Sequence, residues 1–178
     1  MKHAHPALLE HEFLFYPPEQ RFRRVITRRA VRAIIRRQDE LLLIHSPGVG
    51  DYKFPGGGVK FGEQPQQALQ REVQEECGRQ LDWIGAPLVR TIEKLPSLEA
   101  ADSAFHLLSV YYPASVNQVQ LPQCLDDYEA GLGFQPVWMR LADALQANLA
   151  LIQSTGRSQP RWLQREIWVM QNLPATLG

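Results

Sequence analysis

Between Gly57 and Arg79 the chain reads GGVKFGEQPQQALQREVQEECGR, a glycine-rich loop that runs straight into a helix. This stretch constrains the fold more than any other. Gly56, Gly57 and Gly58 follow Pro55, so a strand ending at Phe54 enters a turn where positive φ is available and backbone can approach a ligand closely. Glu63 and Pro65 open the helix, Pro65 with φ pre-set for a first turn and the acid favourable near a helix N-terminus. Ala68, Leu69 and Val73 recur at helical spacing and face a core. Glu72, Glu75 and Glu76 stand at i, i+3 and i+4, which puts three carboxylates on one stripe with Cβ atoms about 5–6 Å apart. Like charges so placed repel by a few tenths of a kcal/mol per pair. Hard cations such as Mg²⁺ bind through a few carboxylates, waters and substrate phosphates. The stripe therefore reads as a divalent-metal site. A solvated acidic helix face would need no such order of charges.

The rest of the chain supplies a frame for that helix. Ala30–Ile35 and Leu41–His45 read as strands joined by a polar turn around Gln38, Asp39 and Glu40, with the near-continuous apolar content of a sheet covered on both faces. Phe105–Tyr112 reads as a strand bounded by Pro113, and Val137–Met139 as another. Leu141–Gln153 carries a helical apolar pattern, and a final helix runs from about Arg161 to Asn172, after Pro160. Strands, helix, more strands and closing helices predict an α/β fold with a mixed β-sheet between helices. No repeat or linker divides the 178 residues, a length usual for a single domain (1–178). Residues 1–20 form an N-terminal extension and 161–178 the C-terminal helix.

Charge and cysteine usage exclude several function classes. Cys77 and Cys124 make neither a disulfide framework nor a zinc site, which suits a reduced, cytoplasmic protein; Cys77 packs as a helix residue. No apolar run approaches the ~20 residues of a membrane span, and the first twenty residues lack a signal-peptide core. His3, His5 and His11 cluster loosely there, without the fixed geometry of a metal site. Net formal charge is zero, yet eight of fifteen arginines lie between Arg21 and Arg37. Either Arg28, Arg29, Arg32 and Arg36 line the exposed face of the first strand, or some of them enter a cleft and hold phosphate oxygens. Only Phe22 is interleaved with these arginines, too little aromatic surface for stacking bases, which argues against nucleic acid.

The loop-helix segment resembles the signature of the Nudix hydrolases, G-x5-E-x7-R-E-U-x-E-E-x-G-U with U a bulky aliphatic. Gly57, Glu63, Arg71, Glu72, Val73, Glu75, Glu76 and Gly78 stand in register. Arg79 departs from the final aliphatic, and Leu81 is placed to supply that buried contact. Seven fixed residue types at average frequencies near one in fifteen would match by accident in roughly one chain in a million of this length. The likeness is specific over Phe54–Gly78 and agrees in element order from about residue 28 to 153.

That resemblance implies a Nudix-like α/β/α sandwich and a Mg²⁺-dependent hydrolase, with Mn²⁺ as the alternative, acting on a nucleoside diphosphate linked to another moiety. It implies Glu72, Glu75, Glu76 and the Gly56 carbonyl as metal ligands, and Arg71, four residues before Glu75, as the residue that orients a carboxylate. Gly57, Gly58, Arg28 and Arg32 are the substrate-binding candidates. A further acid outside the helix is expected, and the stretch CLDDYEAGLGFQPVWM resembles the family's catalytic loop, which selects Glu129. Asp126 and Asp127 are neighbours that would substitute, Glu93 and Glu99 weaker rivals, and an exposed loop acid the plain alternative. The general base is Glu75 or Glu129. Two other readings stand beside this one: a non-catalytic sensor of ADP-ribose or a nucleotide, and a house-cleaning nucleoside triphosphate pyrophosphohydrolase. Phe134, Trp138 and Tyr112 are aromatics for stacking or for the core. The string Ser158-Gln159-Pro160-Arg161-Trp162 is similar to a motif of NADH pyrophosphatases but lies far from the box, and is set aside. A nucleotide-type small molecule is the expected partner, and a homodimer is left open.

Overall fold

A computed structural model describes residues 8–99, 102–154 and 160–174. His3 and His5, together with Ser158 and Gln159, lie outside the described residues. The chain runs β1 (Leu9–Leu14), β2 (Arg24–Arg37), β3 (Glu40–Ser46), β4 (Asp51–Lys53), α1 (Pro65–Cys77), β5 (Arg79–Ile84), β6 (Val89–Pro96), β7 (Ser103–Gln120), α2 (Asp127–Leu132), β8 (Gln135–Arg140), α3 (Leu141–Gln153) and α4 (Trp162–Asn172).

One curled mixed sheet has the order β1-β6-β7-β2-β3-β4, with β5 also on β7 and β8 also on β3. The β1–β6 and β2–β7 pairs are parallel and the others antiparallel. Its two faces carry separate cores. On β2 and β3, Val31, Ala33, Ile35, Leu42 and Ile44 point to the core that includes Ala68, Leu69, Val73 and Cys77 of α1. Ile34, Leu41 and Leu43 point the other way, to Phe54, Tyr111, Ala144 of α3, and Val169 and Met170 of α4. This two-sided burial explains the continuous apolar runs: with side chains alternating at period two, a strand covered on both faces needs apolar residues at every position. The result is an α/β/α sandwich.

The long strand differs from its expectation. β7 runs through Pro113 to Gln120. Pro113 falls where β7's partner changes, since β6 reaches only Tyr111 and β5 begins at Ala114. A residue with no N–H is tolerated at such a break in the ladder, and the Pro113 carbonyl still accepts from Gly85 N–H at 2.8 Å. Residues 9–14, within the stretch set apart as an extension, form edge strand β1 on β6. Arg79 opens β5, and Leu81 is buried in the core with Cys77.

What creates the site is a divergence in the sheet. β2 and β3 pair only at Arg36–Leu41 and Arg37–Glu40, then splay apart, and the glycine loop fills the gap. Val31 N–H donates to the Gly57 carbonyl at 3.0 Å, Ala33 N–H to Pro55 at 2.8 Å, and Val59 N–H to Arg29 at 2.9 Å. Gly56, at φ 136°, lies so close to this strand that a Cβ would run into the Val31 carbonyl. Only glycine suits both demands.

Candidate active site

α1 presents its carboxylates inward, under the loop. Gln64 N–H is satisfied by the Gln67 side chain at 3.0 Å, and left-handed Gly78 (φ 59°) closes the helix with its N–H on the Gln74 carbonyl. The next segment then caps the open C-terminus. Leu121 N–H donates to the Gly78 carbonyl (2.9 Å), Cys124 N–H to that of Glu75 (2.8 Å), and Gln123 Nε2 to that of Glu76 (2.5 Å). Helix-end carbonyls need such partners, and meeting the need brings α2 beside α1. In α2 the Asp126 carboxylate accepts from Glu129 N–H at 2.8 Å and the Glu129 carboxylate from Asp126 N–H at 3.0 Å, a reciprocal capping box.

Carboxylate oxygens of Glu72, Glu76 and Glu129 consequently lie within 4.8 Å of one another. Glu72 and Glu76 are buried. Gly57 rests on Glu72, where a Cβ would stand 2.5 Å from Oε2, and Gly56 N–H donates to Glu76 Oε2 at 2.7 Å. Burial pushes the Glu76 carboxyl up to about 8, with Glu72 and Glu129 adding to the rise and Arg32 and the Gly56 N–H opposing it. Glu129 is also raised, first by burial. Three acids gathered under that strain suit a divalent cation, whose charge would relieve both the desolvation and the repulsion.

Glu75 lines the same cleft but stands outside this trio, half-exposed and 3.2 Å from Arg71 Nη1. Arg71 is the hub. Its Nε and Nη2 fork onto Glu63 at 2.9 Å each, Nη1 also reaches Glu72 at 2.7 Å, and Nη2 also donates to the Gly58 carbonyl at 3.0 Å. That fork, with the Lys60 N–H, holds Glu63 down at about 2. Glu63 was expected to favour the helix N-terminus; it spends its oxygens on Arg71 and Lys60 N–H instead.

A cleft of about 830 Å³ joins these groups, and Arg28, Arg32, Gly56, Gly57 and Gly58 also line it. Arg28 is exposed and lies against Gly58. Arg32 donates to the Gly56 carbonyl, the oxygen expected to bind metal. Neither Arg29 nor Arg36 lines the cleft. Glu93 is removed from the catalytic candidates, being buried in β6 and paired with Arg165; Glu99 also lies away from the cleft. Asp126 borders it and Asp127 does not. Of the three aromatics, Phe134 reaches the cleft, Tyr112 belongs to the core, and Trp138 packs against that core with Arg37 over its ring at 4.2 Å.

Among the lining residues that escaped the sequence reading are Lys53 and Trp162. Lys53 ends β4, just before the glycine loop, with no motif to mark it. Trp162 belonged to the string set aside. Its Nε1–H donates to Asp51 Oδ2 at 2.7 Å, which fixes the ring at the cleft.

The class that fold and site define is an α/β/α sandwich with a glycine loop over an acid-bearing helix, where β2 and β3 part. Over residues 26–161 the chain matches the model of the NUDIX domain, and it belongs to that family. An ADP-ribose pyrophosphatase of Methanocaldococcus jannaschii is 31% identical over 86 residues, 47% of each chain, so the match spans about half of that relative's length. A crystal structure of a MutT NUDIX hydrolase from Burkholderia pseudomallei superimposes with a TM-score of 0.51 at 20% identity, over 80% of this chain and 96% of that one; this likeness concerns the fold.

Proposed function

We propose that this chain is a Mg²⁺-dependent hydrolase that cleaves the pyrophosphate linkage of a nucleoside diphosphate joined to another moiety, with ADP-ribose as the leading substrate. The observation that carries the reading is the meeting of Glu72, Glu76 and Glu129 within 4.8 Å, in a cleft that cations also line. The choice of ADP-ribose rests on the relative of that activity.

Glu72, Glu76 and Glu129, with Glu75 and the Gly56 carbonyl beside them, would hold Mg²⁺, or Mn²⁺ as the alternative. When bound, such an ion neutralises pyrophosphate charge and lowers the pKa of coordinated water. The protein's own groups do the rest. Arg71 keeps the carboxylates in register, Gly57 and Gly58 let substrate approach the backbone, and Arg28 and Arg32 face the phosphates. A water oxygen attacks one phosphorus, the bridging P–O bond breaks, and a nucleoside monophosphate and a second phosphomonoester leave. Glu129 or Glu75 takes the water's proton.

The test is a substrate panel of ADP-ribose, other nucleoside diphosphate derivatives and nucleoside triphosphates, with Mg²⁺ or Mn²⁺, scored for released monophosphate. Glu76→Gln and Glu129→Gln should each lower turnover by about 10²–10⁴-fold, with circular dichroism unchanged. Cleavage of triphosphates alone would move the assignment to house-cleaning. Tight binding of ADP-ribose with no turnover by the wild type would make the protein a sensor.

A further inference from the structure

Four cations in the cleft are buried or half-buried: Arg32, Lys53, Arg71 and Arg165. Three of them are committed to protein acceptors. Arg32 donates to the Gly56 carbonyl, Arg71 to Glu63, Glu72, Glu75 and Gly58, and Arg165 to Glu93 and Glu166. Lys53 differs. It is 7% exposed, and among the described residues no salt bridge or side-chain hydrogen bond reaches its Nζ. Ring faces hold it instead, Phe134 with its centroid at 3.8 Å and Trp162 at 5.4 Å.

Both rings are themselves fixed. Phe134 is buried directly after left-handed Gly133, which ends α2, and Trp162 is tied to Asp51 on the same strand as Lys53. The aromatic faces attract an ammonium but offer none of its three N–H groups an acceptor. Holding such a cation largely out of water, with no carboxylate in salt-bridge reach, is costly, and burial accordingly presses its pKa downward against the pull of Asp51 and Glu76. The arrangement is economical only if a ligand brings the anion.

We infer that Lys53, caged by Phe134 and Trp162, is a binding site for a phosphate group of the nucleotide, on the α4 side of the cleft. The inference rests on the proposed function for the ligand class but not for its test. Trp162 lies just past the matched family segment, which ends at residue 161, so one ring of the subsite comes from this chain's own C-terminal helix.

The experiment is calorimetric titration, in Mg²⁺, of α,β-methylene-ADP, whose phosphorus-carbon bridge resists hydrolysis, with adenosine as the phosphate-free reference. Lys53→Met should weaken α,β-methylene-ADP roughly tenfold or more, the scale of one charge-assisted hydrogen bond, and Lys53→Gln should do the same. Adenosine should behave identically in all three proteins. Because the variants lose an unpaired buried charge, their melting temperatures without ligand should equal or exceed that of wild type. The inference is overturned if the variants bind α,β-methylene-ADP within twofold of wild type, if both probes weaken together, if wild type fails to bind the analogue, or if both variants melt lower or do not fold, which would make Lys53 structural. Failure of the hydrolase reading looks different: no member of the substrate panel is cleaved, while the Lys53-dependent binding of the analogue persists.

Discussion

Arg71 shows how one side chain organises a carboxylate-rich site. Its guanidinium touches Glu63, Glu72 and Glu75 and the Gly58 carbonyl at once, a task that suits a planar fork of donors and not an ammonium. The loop is thereby tied to the helix through Glu63, whose carboxyl is held well below the ordinary 4.5, at about 2. The sign of the linkage follows. A depressed acid stabilises the folded state above its unfolded pKa, and the contribution fades as pH falls through the folded value. Glu63→Gln should therefore melt below wild type at neutral pH, and the gap should close as pH is lowered from about 4.5 to about 2. Thermal melts across that range read it directly, and a constant gap would mean that the ion pair contributes nothing.

At the scale of elements, the site is made by the ends of α1. Its N-terminal side lies under the glycine loop that replaces β3 beside β2, and its C-terminal carbonyls bind the segment that delivers α2. Gly78 sits at the second junction: its φ of 59° is left-handed, and a Cβ there would collide with the Leu121 carbonyl. Gly78→Ala should destabilise the protein by more than about 1 kcal/mol in urea unfolding, because alanine is strained at that φ and finds no room. Displacing residues 121–124 should also carry Glu129 away from Glu72 and Glu76, so turnover should fall along with stability. This junction was only partly legible beforehand. The glutamates and glycines of the box stand at fixed spacings along one helix, which local chemistry can read. The strand expected to end at Phe54 is β4, but α2 with six residues is too short for periodicity to register, and β1, LEHEFL, is an edge strand in which charge hides the pattern.

Across the whole molecule, α4 locks the sheet from the face opposite α1. Glu166 accepts from Phe54 N–H at 3.1 Å, just before the glycine loop, and Arg165 joins Glu166 to Glu93 of β6 in a fully buried network. Among the described residues no helix is long and apolar enough to cross a membrane, and α4 spends its apolar side within the second core. Arg165→Met would strand two buried carboxylates without a cation. It should cost about 3–5 kcal/mol in denaturant unfolding, a large share of the stability of a domain this size. A cost below about 1 kcal/mol would mean that the carboxylates are held neutral and the network is not ionic.

The sequence by itself determined the family, the helix that bears Glu72, Glu75 and Glu76, the glycine loop before it, and the layered α/β fold. Those features are written in spacings of a few residues, over which backbone geometry is regular. Tertiary structure alone decided which acids meet. Glu129 joins Glu72 and Glu76 because residues 121–124 cap α1, while Glu75, adjacent in sequence to Glu76, points elsewhere in the cleft. It also decided that Glu93 is locked to Arg165, that Arg28 and Arg32 face the cleft while Arg29 and Arg36 do not, and that Lys53 meets Trp162 across more than a hundred residues. Such contacts depend on how strands splay and helices dock, and no local spacing in the chain encodes the distance between two elements that meet only when the core closes.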